Sequence, residues 1–239
     1  MSTTLVLDKK PKGVTIIQGF PGIGLIGTIT TEFLVEHLGT EQIGSVIMDD
    51  VPAVVAIHGS KIVEPISIHY NKDYNIVLIH AISLGHGVGW GLARVVHEIC
   101  EQLNAKEIIS VEGVGSTQPT PSSSIFFFTT NDKARKRLNK IAKPLQEGVI
   151  VGVTGALLAS SRESKVPVTT FFGETMSNLP DSKSAASIIK VLDKYLGLDL
   201  DPKPLFAQAE QFELKLRRIV EQTKQTTEIQ KKKTLSYLG

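Results

Sequence analysis

Gly22-Ile23-Gly24-Leu25-Ile26-Gly27 sets three glycines in the order G-x-G-x-x-G, between an apolar run and a helical pattern. That spacing can hold a pyrophosphate: glycines permit a tight turn and close backbone approach, and the helix N-terminus attracts negative charge. Asp49 and Asp50 follow a little over 20 residues after Gly27, where an acid could bond a ribose hydroxyl. Two features depart from the dinucleotide pattern. Phe20-Pro21 makes a rigid, bulky entry to the turn, and Asp50-Val51-Pro52 leads into a strand rather than a helix. The same glycines also suit a strand that turns directly into a closely packed helix.

A second glycine run, Gly85-His86-Gly87-Val88-Gly89-Trp90-Gly91, again ends a strand and opens a helix. Loops after neighbouring strands lie together at the carboxyl ends of a sheet, so Gly22, Gly24 and Gly27 could share a ligand cleft with His86 and Glu112. Glu112 belongs here because Glu112-Gly113-Val114-Gly115 also follows a strand. His86 is the one ionisable side chain of its run, and a loop histidine without a task is the plainer reading. His37, His58, His69, His80 and His97 form no metal-ligand motif, and there is no nucleophile elbow or phosphate-loop lysine. No base stands beside a nucleophile in the sequence, so no catalytic residue, metal or cofactor is assigned. Cys100 rules out an intrachain disulfide and sits in a helix-like context that suggests packing.

The elements that must position these loops alternate. Strands are expected at 14–17, 43–48, 54–58, 62–70, 74–82, 108–111, 125–129, 149–153 and 166–172. Helices are expected at 22–38, 88–103, after Asn131 or Asp132, at 156–161 and at 182–196. Gly39 and Gly197 read as helix stops. This pattern implies an α/β domain over residues 1–200, with a mostly parallel sheet flanked by helices and an antiparallel meander between 54 and 82. Ser116 to Ser124 is the most loop-like stretch.

Composition supports one soluble, cytoplasmic α/β domain. The hydrophobic fraction is 41%, the mean hydropathy is +0.07, and 26 basic residues nearly balance 24 acidic ones for a net charge of +2. That balance argues against a nucleic-acid binder, and no apolar run reaches the ~20 residues that span a bilayer. The basic excess is local, with eight basic and four acidic residues from Lys203 onward. There, Leu205, Ala209, Phe212, Leu216 and Ile219 recur at alternating spacings of four and three, the seam of a long helix expected over 201–233. Such a seam can pack on its own domain or pair with copies of itself. An exposed tail is expected at 234–239.

Four segments, in order, carry a resemblance: Gly19-Phe20-Pro21-Gly22-Ile23-Gly24, Glu112-Gly113-Val114-Gly115, Gly152-Val153-Thr154-Gly155-Ala156-Leu157-Leu158 and Leu179-Pro180-Asp181-Ser182-Lys183-Ser184-Ala185-Ala186. Together they resemble the proteasome assembly chaperone family, of the second chaperone type with its archaeal homologues, from about residue 10 to 215. The resemblance implies a fold similar to nucleoside phosphorylases without their catalytic equipment, and so not an enzyme. It also implies binding to the α-subunits of the proteasome core particle, homo-oligomers (tetramers foremost), and C-terminal tails with a penultimate tyrosine that dock between α-subunits. This chain ends Leu235-Ser236-Tyr237-Leu238-Gly239, with its tyrosine third from the end. Tyr237, Leu238 and the Gly239 carboxylate still suit docking, and Lys231, Lys232 and Lys233 could steer the tail to an acidic rim. The residues therefore support an assembly chaperone or ATP-independent activator of the core particle. The alternative is a nucleotide- or nucleoside-binding enzyme built on the glycine loops.

Overall fold

Apolar runs without alternation, such as Ile76–Ala81, belong to strands covered on both faces. The computed structural model describes residues 3–48, 56–58, 61–82, 84, 87–115, 124–175, 179–201 and 203–204. The expected C-terminal helix and tail, with Leu205, Ala209, Phe212, Leu216, Ile219, Lys231–Lys233 and Leu235–Gly239, lie outside these residues. So do His86, Asp49 and Asp50.

The strands are β1 (Thr3–Leu7), β2 (Thr15–Gly19), β3 (Glu41–Met48), β4 (Ala56–His58), β5 (Lys61–Val63), β6 (Ile66–Asn71), β7 (Ile76–Ala81), β8 (Glu107–Gly115), β9 (Ile125–Thr129), β10 (Lys143–Pro144) and β11 (Val168–Thr175). The helices are α1 (Ile26–His37), α2 (Gly89–Leu103), α3 (Asp132–Leu138), α4 (Gly152–Ala159) and α5 (Ser182–Leu196). Nine strands form one sheet in the order β1-β3-β6-β7-β2-β8-β11-β9-β10, and β4 and β5 form a separate hairpin. Parallel pairing is concentrated in the central block β7-β2-β8-β11. The pairs β1-β3, β3-β6, β6-β7 and β9-β11 are antiparallel, so the sheet is mixed, with the antiparallel additions flanking a parallel centre. One core lies between the sheet and α1, α3 and α5, and the other between the sheet and α2 and α4.

Local chemistry sets most boundaries. Asn131 caps α3 by accepting from Lys133 N and Ala134 N, and Asp181 caps α5 by accepting from Ser184 N at 2.9 Å. Gly197, at φ 70°, stops α5 as its spacing indicates. Two expectations need correction. Val149–Val153 is not a strand: Gly152 has φ 76° and opens α4 four residues before the expected helix start. The expected strand 62–70 is broken at Glu64-Pro65 into β5 and β6, where Pro65 interrupts the pairing run.

Candidate functional site

β2 and β8 are parallel neighbours in which Gln18 stands opposite Ser110. Both side chains lie under α4, whose Thr154 points back at them. A chain of hydrogen bonds results. The Gln18 amide donates to Ser110 Oγ, the Ser110 and Thr154 hydroxyls are 2.6 Å apart, and Thr154 donates to Glu112 Oε1 at 2.5 Å. Gln18, Ser110 and Thr154 are fully buried. Gln18 Oε1 and, one strand further, Thr170 Oγ1 are buried without a hydrogen-bond partner. Burial pushes the Glu112 carboxyl up to about 7, against the smaller opposite effect of the Thr154 hydroxyl. Its Oε2 lies beneath the first glycine loop, 2.9 Å from where a Cβ on Gly22 would stand. The arrangement is a carboxyl that changes charge near neutrality at the carboxyl ends of the central strands. Its hydroxyls, Ser110 and Thr154, are fully buried.

The glycines of the loop have separate duties. Gly24 sits at φ 66° inside a single 3-10 turn, Ile23–Leu25. Gly27 brings α1 so close to β8 that a Cβ there would stand 2.6 Å from the Val111 carbonyl oxygen. Gly19 faces the Gly27 carbonyl with no room for a methyl group. Gly22, in extended backbone, meets only the end of the Glu112 side chain. Of the glycines in the pyrophosphate-like spacing, Gly27, together with Gly19 before it, serves helix-on-sheet packing, Gly24 serves the turn, and the first turn of α1 (Ile26, Gly27 and Thr28) is buried. From the second glycine run, Gly89 abuts Gly152 at the start of α4. Gly22, Gly24, Gly27 and Glu112 do come together; His86 is outside the described residues. Gln18, Ser110 and Thr154 were not singled out from the sequence. The signal for the first two is a lone polar residue inside an apolar strand run, as in Ile16-Ile17-Gln18 and Ile108-Ile109-Ser110-Val111.

A hydroxyl, an imidazole and a carboxylate also line up beneath α1. Thr31 Oγ1 is 2.9 Å from His80 Nδ1, and His80 Nε2 is 2.9 Å from Glu32 Oε2. Thr31 is fully buried and its hydroxyl also donates to Gly27 O at 3.0 Å, so this triad-like line pins α1 to β7. Beside it, burial and then His80 hold His69 down at about 4, with Glu32 acting weakly the other way. The folded-state value lies below the ordinary 6.5, so the unfolded chain takes up a proton that the fold refuses. Stability should be unaffected above pH 6.5 and fall as pH drops from 6.5 to 4, by roughly 2–3 kcal/mol in all. Chemical denaturation at pH 7 and pH 4 should show that His69→Gln removes this part of the acid sensitivity. Cys100 is buried and its thiol is pushed up to about 12, which suits a packing role. Among the described residues no group of His, Cys, Asp and Glu side chains could hold a metal, and no helix is long and apolar enough to cross a membrane.

Residues 16–220 match the PAC2 family model. The chain belongs to the PAC2 family. Among solved structures this PAC2 chain is similar to Pyrococcus furiosus PbaA, an archaeal homologue of proteasome-assembly chaperone. Identity is 28%, the TM-score is 0.83, and the match covers 95% of this chain and 100% of that one. P. furiosus PbaB, an archaeal proteasome activator, shares the fold at 20% identity and a TM-score of 0.76, over 91% of this chain and 98% of that one. An uncharacterised protein of Methanocaldococcus jannaschii is 25% identical over 207 residues, covering 87% of this chain and 85% of its own length.

Proposed function

We propose that this chain binds the proteasome core particle, as an assembly chaperone or an ATP-independent activator. The likeness to PbaA, which extends over 95% of the chain at 28% identity, carries the reading. The site geometry agrees with it: the glycine loop is used in packing, and the hydroxyl and imidazole of the triad-like line, Thr31 and His80, are buried. A nucleoside-phosphorylase-like framework without catalytic equipment belongs to the same reading.

The contact is assigned to the C-terminal tail, Leu235-Ser236-Tyr237-Leu238-Gly239, with Lys231–Lys233 steering it toward acidic α-subunit rims. Several tails on one homo-oligomer would bind by avidity, so each can be weak alone. The test is capture of purified core particle by full-length protein and by a 1–234 truncation. Full-length protein should retain the particle, and the truncation should lose at least about tenfold in affinity, the equivalent of ~1.4 kcal/mol. Equal capture by both forms removes the tail from the mechanism, and capture by neither removes the partner.

A further inference from the structure

β10 stops after two residues, and the chain then runs on to α4. Leu145 N donates to Phe127 O at 2.8 Å, and among the described residues no hydrogen bond reaches the backbone of residues 146–151. Their composition is nevertheless that of a strand. Val149-Ile150-Val151 is β-branched throughout, no proline stands between Leu145 and Gly152, and Val151 is extended at φ −115° and ψ 170°. The side chains alternate as strand residues do. Ile150 lines a groove of ≈ 780 Å³ together with Phe128, Phe172 and Leu158, and Val149 and Val151 stand in solvent at 90% and 76% exposure. The charge around the segment is mostly positive. Lys143 in β10 and Arg162 in the groove form no ion pair with a described residue, and Glu147 is the one acid among the groove's lining residues.

We propose that residues 146–151 take up an extended segment of another protein as an added strand, one with apolar side chains at alternate positions and acidic residues at its ends. An extended chain with open N–H and C=O groups is a template for ladder pairing, and the partner's backbone supplies those bonds. The unpaired stretch reaches up to ~20 Å, longer than a small molecule covers, so the occupant is a peptide segment. Apolar side chains on one of its faces enter the groove, and those on the other lie beside Val149 and Val151. Charge selects its ends. Acidic residues neutralise Lys143 and Arg162, whereas a second copy of this chain would bring the same cationic excess to the contact. The inference does not rest on the core-particle reading and uses no residue of the C-terminal tail.

The experiment is fluorescence anisotropy with the full chain. The probe is a short labelled peptide that alternates valine and threonine between pairs of aspartates. Two further peptides are controls: one ends in lysines instead of aspartates, and one is N-methylated at alternate residues, which removes ladder donors and keeps the side chains. The acidic peptide should bind saturably with a Kd below about 1 mM, and each control should bind at least ~10-fold more weakly. Val149→Asp/Val151→Asp should lose at least ~10-fold for the acidic peptide, with an unchanged circular dichroism spectrum. Lys143→Glu/Arg162→Glu should reverse the preference, so that the lysine-ended peptide binds better. Ile62→Asp, exposed on the separate β4-β5 hairpin, should bind as wild type. No saturable binding of the acidic peptide, equal binding of the methylated or the lysine-ended one, or unchanged binding by the valine variant would each overturn the proposal. Absent binding together with a concentration-dependent assembly that the valine variant loses, read by sedimentation velocity, would give the segment to a second copy instead. Because the assay contains no core particle, its failure is distinct from failure of the tail-docking test.

Discussion

Gly19→Ala should be severely destabilising, and Gly113→Ala should be so to a similar degree. A Cβ on Gly19 would overlap the Gly27 carbonyl oxygen, and one on Gly113 would overlap the Ile23 carbonyl oxygen. Backbone atoms cannot rotate out of the way, so the whole of α1 and the turn before it would have to lift from β2 and β8. Overpacking of a core typically costs 1–3 kcal/mol and occasionally more. Here the obstacle is backbone in the centre of the sheet, so a loss of about 4 kcal/mol is expected, a large part of the 5–15 kcal/mol that holds a domain together. Gly115→Ala meets nothing within 4 Å and Gly22→Ala meets only the end of a carboxylate side chain. Both should stay within about 1 kcal/mol of wild type. Denaturant melts of the four variants check the ordering. A tolerant Gly19 would mean that α1 does not sit against β2 as described.

Glu112→Gln should stabilise the protein at pH 8 and leave it unchanged at pH 4. Burial holds the Glu112 carboxyl at about 7 in the fold, against an ordinary value of 4.5. Below pH 4.5 both folded and unfolded chains carry the proton, and the glutamate costs nothing. As pH rises from 4.5 to 7 the unfolded chain gives the proton up while the fold keeps it, so stability is lost through that window. Glutamine keeps the acceptor for the Thr154 hydroxyl and cannot ionise. The gain at pH 8 should be about 2–3 kcal/mol, read from denaturant midpoints at pH 4, 6 and 8. A variant destabilised equally at all three values would show that Glu112 is held as a charged acceptor. The window is opposite in sign to that of His69 and overlaps it between pH 4.5 and 6.5, so over that range the two contributions largely cancel.

The sequence by itself determined the elements whose signals are local. Asp181 and Gly197 bracket α5, Asn131 starts α3, Gly39 follows α1, and Ile108–Val111 reads as a buried strand; each depends on residues within one or two turns of chain. The four resemblance segments led to the family by their order alone.

Other features needed the tertiary structure, because they depend on which distant residues meet. Gln18, Ser110, Glu112 and Thr154 converge from three elements, and only the registry of β2 on β8 and the seating of α4 bring them into one hydrogen-bonded line. The shift at Glu112 follows from that burial and has no counterpart in its sequence neighbours. The glycine fingerprint was ambiguous for the same reason: its spacing is identical whether the room beside each glycine is filled by phosphate or by protein, and here Glu112 Oε2, the Thr175 side chain and Val111 O stand beside Gly22, Gly24 and Gly27. Val149-Ile150-Val151 shows the limit in the other direction. Its β-branched run reads as a strand, but it pairs with no neighbour, α4 opens at Gly152 with a positive φ, and two valines are left in solvent.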